Sequence, residues 1–268
     1  MRDRRAGRWR GAARREWRVP HRLRTPGLDD RGQLRWHDHV APGGCRWITP
    51  VDTPVHINRC LREAGLLQAR KTPNGDVLDV FGSQAFAVCD HQVAHVYTRS
   101  DEGRRRAREA LEALDGVERV LGPDERAAFG LDHEHAGDLI AIAKPRSWFT
   151  YYYWPEGGAE PDFARTVDIH RKPGYDPCEM FLDPSLAFPK LRVARRLAQK
   201  FSGMRYLMDV IPVDATLVHG SHGRLPDKTD DGPIFVSSSP FGVCGPEPSN
   251  GVVEMTSVRD RMLALLER

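Results

Sequence analysis

The chain has 268 residues, of which 40% are hydrophobic and 8% aromatic, and a formal net charge of +3. These values exclude collagen-like and fully disordered chains. No apolar run approaches the roughly 20 residues that a transmembrane helix needs. Five widely spaced cysteines without a CxxC pair disfavour a disulfide scaffold and a cysteine-based zinc knuckle. Because this cysteine usage fits a reducing compartment and no export signal is recognisable, the sequence predicts a cytoplasmic protein.

The first 47 residues differ from the rest in composition. They carry 13 Arg against 5 Asp and Glu, and four of the six Trp, so the remaining 221 residues sum to a charge of −5. No hydrophobic period persists in them. We interpret residues 1–47 as a non-homologous segment, either disordered or translated out of frame, followed by one domain over residues 48–268. The alternative is a basic arm that contacts nucleic acid or a membrane surface, with Arg for phosphates and Trp for stacking.

From residue 48 onward, helices are predicted to alternate with short apolar strands. Asp52-Thr53-Pro54 is typical of a helix start, and Gly65 of its end. The other predicted elements are two strands within Phe86–Tyr97, a charged helix over Arg104–Leu114, strands over Val117–Leu121, Asp138–Ala143, Trp148–Trp154 and Pro233–Ser238, a basic helix over Leu191–Phe201, and a last helix capped by Thr256 and ending at Leu266. This alternation predicts an α/β or α+β architecture.

Histidines next to aspartates or glycines mark the candidate metal ligands. Catalytic zinc sites take imidazole and carboxylate donors, usually on turns at strand ends. His222, flanked by Gly220 and Gly223, fits that description best. Asp168 and His170 come second, because positions two apart in an extended segment point to the same side. For both places the alternative is an ordinary hydrogen-bonded pair at the surface.

A second group of polar residues is predicted to support the site or contact substrate. Asp90 and His91 lie at a strand boundary, where neighbours point to opposite faces, so both reach one ion only if a turn intervenes. His219 precedes the glycine-flanked turn, and Arg224 follows it. Arg224 could bind a phosphate oxygen in bidentate fashion, or it could be an exposed, solvated side chain.

Four blocks in this order carry a resemblance to a known family. They are ITPVDTPVHINRCLREAGLL, GDLIAIAKPRSWF, DIHRKPGYDP, and GSHGR followed by GPIFVSS. From about residue 48 to the end, the sequence resembles the C-terminal part of a type I phosphodiesterase/nucleotide pyrophosphatase of the alkaline phosphatase superfamily. The resemblance implies an α/β fold: part of an alkaline-phosphatase-like sheet flanked by helices, with a small α+β cap-like region.

The resemblance also implies a chemistry. Members hydrolyse phosphoesters at two metal ions, usually zinc, with an activated Thr or Ser as nucleophile. His222 matches the late zinc-ligand histidine, and the substrate is expected to be a small phosphate ester rather than a specific nucleic acid. The family's nucleophile lies upstream, and nothing before Ile48 matches it. The chain is therefore predicted to be an N-terminally truncated, catalytically incomplete copy, with a non-catalytic binding module as the alternative.

Overall fold

The computed structural model describes residues 48–158 and 160–227, Gly245, Val253, residues 257–266, and the backbone of residues 27–28 and 34–35. The chain divides into two units, Cys45–Pro233 and a second that combines Met1–Gly44 with Ile234–Arg268. In the second unit, β1 (Gly27–Leu28) pairs antiparallel with β2 (Leu34–Arg35), and the last helix, α5, spans Val258–Leu266. Apart from these strands, the predictions for residues 1–47, for the strand over 233–238 and for the Thr256 cap lie outside the described residues.

The unit Cys45–Pro233 contains the other strands and helices of the described residues. In chain order they are β3 (Thr49–Pro50), β4 (Thr53–Val55), α1 (Ile57–Glu63), β5 (Gln68–Thr72), β6 (Gly75–Asp79), β7 (Ala85–Asp90), β8 (Val93–Thr98), α2 (Asp101–Glu112), β9 (Val117–Leu121), α3 (Pro123–Arg126), β10 (Leu139–Ala143), β11 (Ser147–Phe149), α4 (Pro189–Phe201) and β12 (Gly220–Ser221), with 3-10 turns over Ala127–Phe129, Pro177–Met180 and Ala215–Leu217.

The main sheet has four antiparallel strands in the order β7-β8-β10-β9. Alternating burial along β7 points Ala85, Ala87 and Cys89 into the core. Helix α2 packs against the sheet through Ala107 and Leu111, which are fully buried. The predicted helices and strands over these segments are confirmed, as is the basic helix α4, with ends displaced by a few residues.

Helix α1 begins later than the sequence predicts. Thr53–Val55 forms β4, which pairs in parallel with β11, so the helix starts at Ile57 rather than after Asp52. The Asp52 carboxylate accepts hydrogen bonds from Arg146 and from the Thr53 hydroxyl instead of capping a helix. The sequence pattern of a helix cap at Asp52 does not decide the structure here. Pairing with β11 gives the backbone of Thr53–Val55 hydrogen-bond partners that it would lack at the start of a helix.

The aromatic run after β11 is buried but is not a strand. Ser147–Phe149 pairs with β4, and the backbone then leaves the sheet while Tyr151, Tyr152, Tyr153 and Trp154 stay at most 4% exposed. Polar side chains of α1 hydrogen-bond the carbonyl oxygens of this irregular segment; Arg59 Nε, for example, lies 2.8 Å from the Trp154 oxygen. A strand partner is therefore unnecessary, and the strand prediction over Trp148–Trp154 is wrong beyond Phe149.

These elements confirm the predicted mixed α/β architecture, here with an antiparallel main sheet. Within the described part of the chain, none of the helices combines the length and the apolar character that crossing a bilayer requires.

A histidine at the start of α1 predicts how stability changes with pH. His56 Nδ1 lies 2.7 Å from Thr150 Oγ1, and its ring stacks on Tyr152. Burial, with a smaller contribution from Arg59, lowers the pKa of His56 from 6.5 to about 4. Between these two values the unfolded chain binds a proton that the folded chain does not. Folding stability should therefore fall by about 2–3 kcal/mol as pH drops from 6.5 to 4.

Urea unfolding at pH 7 and pH 4.5 measures this difference. In His56→Gln, which keeps a polar side chain without a titrating group, the loss of stability on acidification should be smaller than in the parent chain. His135→Gln, at a side chain that is 83% exposed, is the matched control and should leave the pH dependence unchanged. Equal pH dependence in the parent chain and His56→Gln would contradict the prediction.

Candidate active site

Asp90 and His91 are joined to the rest of the site by a hairpin turn. His91 and Gln92 form the two-residue connection between β7 and β8, and His91 has a left-handed φ of 57°. A non-glycine residue rarely adopts this conformation unless its surroundings enforce it. Here Phe149 N donates to the His91 carbonyl oxygen at 2.7 Å, and the buried Gln92 side chain donates to the Pro145 and Ser147 carbonyl oxygens. The turn that both residues need in order to face one point is therefore present.

His222 reaches this turn from the other end of the unit. Strand β12 pairs antiparallel with β3 and delivers the following residue, His222, whose carbonyl oxygen accepts a hydrogen bond from Gln92 N at 2.9 Å. The ring centroids of His91 and His222 are 3.9 Å apart, at an interplanar angle of 36°. Ser221 Oγ lies 3.3 Å from His91 Nδ1. Two histidines far apart in sequence thus lie in direct contact.

A loop completes the third side of an open cleft of about 480 Å³. Gly174 pairs with Cys89 in a parallel β-bridge, and the Tyr175 ring lies 4.9 Å from the His91 ring. Asp90, at the end of β7, is exposed at the same cleft. The Cys89 side chain is buried in the core, where its thiol donates to the Thr150 carbonyl oxygen at 3.2 Å. Burial, and secondarily Asp90, raises the pKa of this thiol far above the usual range, so it stays protonated.

The four other predicted residues lie outside the cleft lining. Asp168 and His170 lie on a turn, where Asp168 forms an ion pair with Arg171 at 3.2 Å and His170 is exposed. His219 is also exposed, and its carbonyl oxygen accepts from Val51 N. The structure therefore brings His222 together with Asp90 and His91, and it does not bring Asp168 and His170 to the same cleft.

Arg224 is already engaged by carboxylates. Its guanidinium pairs with Glu118 and with Asp227, the latter at 2.7 Å, and its side chain is 13% exposed. Binding of a phosphate oxygen by Arg224 stays a prediction, and it requires these ion pairs to open.

The donor types at the cleft fit a divalent metal such as zinc, which accepts imidazole nitrogens and carboxylate oxygens. The Ser221 hydroxyl beside His91 Nδ1 resembles the outer partners that orient metal-binding histidines. Two imidazoles on one tetrahedral zinc have ring centroids about 5 Å apart, so the observed rings would have to separate by about 1 Å. Among residues 48–158, 160–227 and the described C-terminal helix, no three His, Cys, Asp or Glu side chains are placed to hold a metal ion as they stand.

No pattern in the sequence indicates that Gly174 and Tyr175 line the cleft. The segment DIHRKPGYDP drew attention to Asp168 and His170, whereas its Pro-Gly-Tyr turn is the part that reaches the cleft. A Pro-Gly pair indicates a turn. It does not indicate which strand that turn will contact.

Residues 48–176 match the family model of type I phosphodiesterase / nucleotide pyrophosphatase, so the resemblance found in the sequence is confirmed over that range. No curated protein matches the chain.

Two solved structures of phosphonoacetate hydrolase from Sinorhizobium meliloti 1021 also match. One is in complex with phosphonoformate and the other with phosphonoacetate. Each is 17% identical to this chain, and each match covers 38% of this chain. Their TM-scores are 0.28 and 0.27. The chain spans 26% of the length of these hydrolases.

Proposed function

We propose that the cleft of the unit Cys45–Pro233 is part of the metal centre of a phosphoester hydrolase. The observation that carries this proposal is the meeting of His91 and His222, whose ring centroids are 3.9 Å apart, at a cleft that Asp90 also lines. The family match over residues 48–176, which includes Asp90 and His91, supports it. The substrate class is a small phosphate ester.

In this proposal Asp90, His91 and His222 hold the metal ion. A bound zinc ion supplies Lewis-acid stabilisation of charge on phosphoryl oxygens. The chain's own residues position the metal ligands. The hairpin holds His91 in its left-handed conformation, and the backbone N–H of Gln92 donates to the His222 carbonyl oxygen. Asp168 and His170, predicted from the sequence as metal ligands, stay a competing prediction for the same ion.

We further propose that the chain by itself is catalytically incomplete. A two-metal phosphoesterase needs donors for both ions and a nucleophile, and the described residues that line the cleft supply one carboxylate and two imidazoles. We expect one zinc site and no turnover. Two predictions from the sequence remain. The first is that residues 1–47 replace the upstream part of a longer hydrolase, and the second is that the protein is cytoplasmic. Translation of the DNA around codons 40–50 in all frames tests the former.

A zinc titration against a competing chromogenic chelator tests the metal site on the full chain. His222→Gln and His91→Asn should each weaken zinc binding by more than about 100-fold, since loss of a ligand costs more than loss of an outer partner. Asparagine is chosen at position 91 because it tolerates the left-handed backbone. The matched control, His135→Gln, should bind zinc like the parent chain.

His170→Gln separates the two ligand sets. If zinc binding depends on His170 and survives His222→Gln, or if the parent chain binds no zinc, the proposed centre is wrong. Hydrolysis of bis(4-nitrophenyl) phosphate by the zinc-loaded chain, abolished in His222→Gln, would overturn catalytic incompleteness while supporting the site itself.

A further inference from the structure

The loop that carries Tyr175 is fixed to the end of β7 by its backbone. Cys89 N donates to the Pro173 carbonyl oxygen at 3.2 Å, and Tyr175 N donates to the Cys89 carbonyl oxygen at 2.7 Å. These two hydrogen bonds extend β7 by one parallel partner immediately before Asp90 and His91. The loop is therefore tied to the residue that immediately precedes Asp90 and the hairpin turn.

A buried ion-pair cluster fixes the same loop from its other side. The Lys172 side chain is fully buried, and its Nζ lies 2.7 Å from Asp176 Oδ2 and 2.8 Å from Glu179 Oε1. Nζ also lies 5.5 Å from the centre of the Tyr151 ring. We name Lys172, Asp176 and Glu179 the lysine cluster. Burying charges is costly, and apolar packing of the same volume is often as stable or more so.

The position of Tyr175 is not dictated by burial. Its side chain is 39% exposed, yet its ring lies 4.9 Å from the His91 ring at an interplanar angle of 31°. Among the described residues, the rings of Tyr175 and His222 both contact His91. Aromatic contacts of this kind have preferred geometries and restrict the rotation of the rings involved.

We propose that Tyr175 and Lys172 are positioning residues for His91: Tyr175 sets the orientation of the imidazole, and the lysine cluster holds Tyr175 in place. This inference deepens the proposed metal centre and rests on it for the role that His91 would play. Neither residue is assigned a contact with metal or substrate. Burying the three charged side chains of the lysine cluster costs free energy. The defined conformation that the cluster imposes on a loop lining the cleft explains why these charges are buried.

NMR of the metal-free protein with isotope-labelled histidines provides the first test. The chemical shifts of the His91 imidazole protons report on neighbouring rings. His91→Asn assigns the His91 signal. Tyr175→Phe keeps the ring and should leave that signal in place, whereas Tyr175→Leu should shift it. The His135 signal serves as an internal control and should not move in either variant. An unchanged His91 signal in Tyr175→Leu overturns the proposal.

Zinc affinity provides the second test. Tyr175→Leu should bind zinc about 10-fold more weakly or worse, as expected when a partner that orients a ligand is lost, and Tyr175→Phe should rescue it. A purely structural role for Tyr175 would leave the affinity unchanged in both variants. If the parent chain binds no zinc, the proposed function fails, while the resonance of His91 still decides whether Tyr175 positions it.

The role of the lysine cluster is tested by neutralising it as a unit. The triple variant Lys172→Met, Asp176→Asn, Glu179→Gln leaves no unpaired buried charge, and the amide oxygen introduced by Asp176→Asn can still accept the hydrogen bond that Cys178 N donates. The folded triple variant should shift the His91 signal as Tyr175→Leu does. A folded triple variant with the parent His91 signal and zinc affinity shows that the lysine cluster does not position the site.

Discussion

Replacing Lys172 alone with methionine should destabilise the protein by about 3–5 kcal/mol, the cost of leaving buried carboxylates without their counter-ion. Lys172 Nζ is the cation shared by Asp176 and Glu179, and the three side chains are at most 9% exposed. Methionine preserves most of the side-chain volume, so the loss reports charge rather than packing. The free energy of unfolding in urea at pH 7 measures it.

A surface ion pair and the neutral triple variant provide the controls for Lys172→Met. Lys144→Met removes an ion pair of the same 2.7 Å length, with Asp115, at a surface where Asp115 is 96% exposed, and should cost less than about 1 kcal/mol. The triple neutral variant of the lysine cluster should recover most of the stability lost in Lys172→Met. Equal losses in Lys172→Met and Lys144→Met would contradict the assignment of a buried, obligatory cation.

The loss in Lys172→Met should also depend on pH. Burial raises the pKa of Asp176, and Lys172 opposes that effect. Without the lysine, the buried carboxyl protonates more readily in the folded state than in the unfolded state. Acid therefore favours the folded variant, and the difference between the variant and the parent chain should be smaller at pH 4.5 than at pH 7.

Replacing Gly174 with alanine should detach the loop from β7 and cost about 3 kcal/mol or more, because strain and overpacking act together. Gly174 has a φ of 122°, and a Cβ atom built there would lie 2.1 Å from the Cys89 carbonyl oxygen and 2.5 Å from its nitrogen. Both contacts are with backbone, which cannot move aside without breaking the β-bridge. The free energy of unfolding and the zinc titration should both report the change.

Gly130→Ala is the matched control for this substitution. Gly130 also has a left-handed φ, of 66°, but no atom lies within 4 Å of the position that its Cβ would occupy. Only the backbone preference is lost there, at about 1–2 kcal/mol. If Gly174→Ala costs no more than Gly130→Ala and leaves zinc binding unchanged, the close approach of the loop to Cys89 does not support the cleft.

The elements that the sequence predicts correctly are those whose residues carry their own periodic signal. The two strands within Phe86–Tyr97 and the strand Val117–Leu121 satisfy their backbone in one antiparallel sheet, and the helix over Asp101–Glu112 buries a stripe of small and aliphatic residues. The start of α1 was misplaced because β11, a strand distant in sequence, competes for Thr53–Val55. The aromatic run was misassigned because the side chains of α1 satisfy its backbone.

By itself, the sequence determined the mixed α/β class, the family resemblance, which the family model confirms over residues 48–176, and His222 as a candidate ligand, since these depend on local pattern and motif. Only the tertiary structure decided that His222 meets His91, that Asp168 and His170 lie elsewhere, and that Tyr175 lines the cleft. The physical reason is that such contacts join segments far apart along the chain. They are fixed by hydrogen bonds such as those between Gln92 and His222 and between Cys89 and Tyr175, which no spacing within either segment encodes.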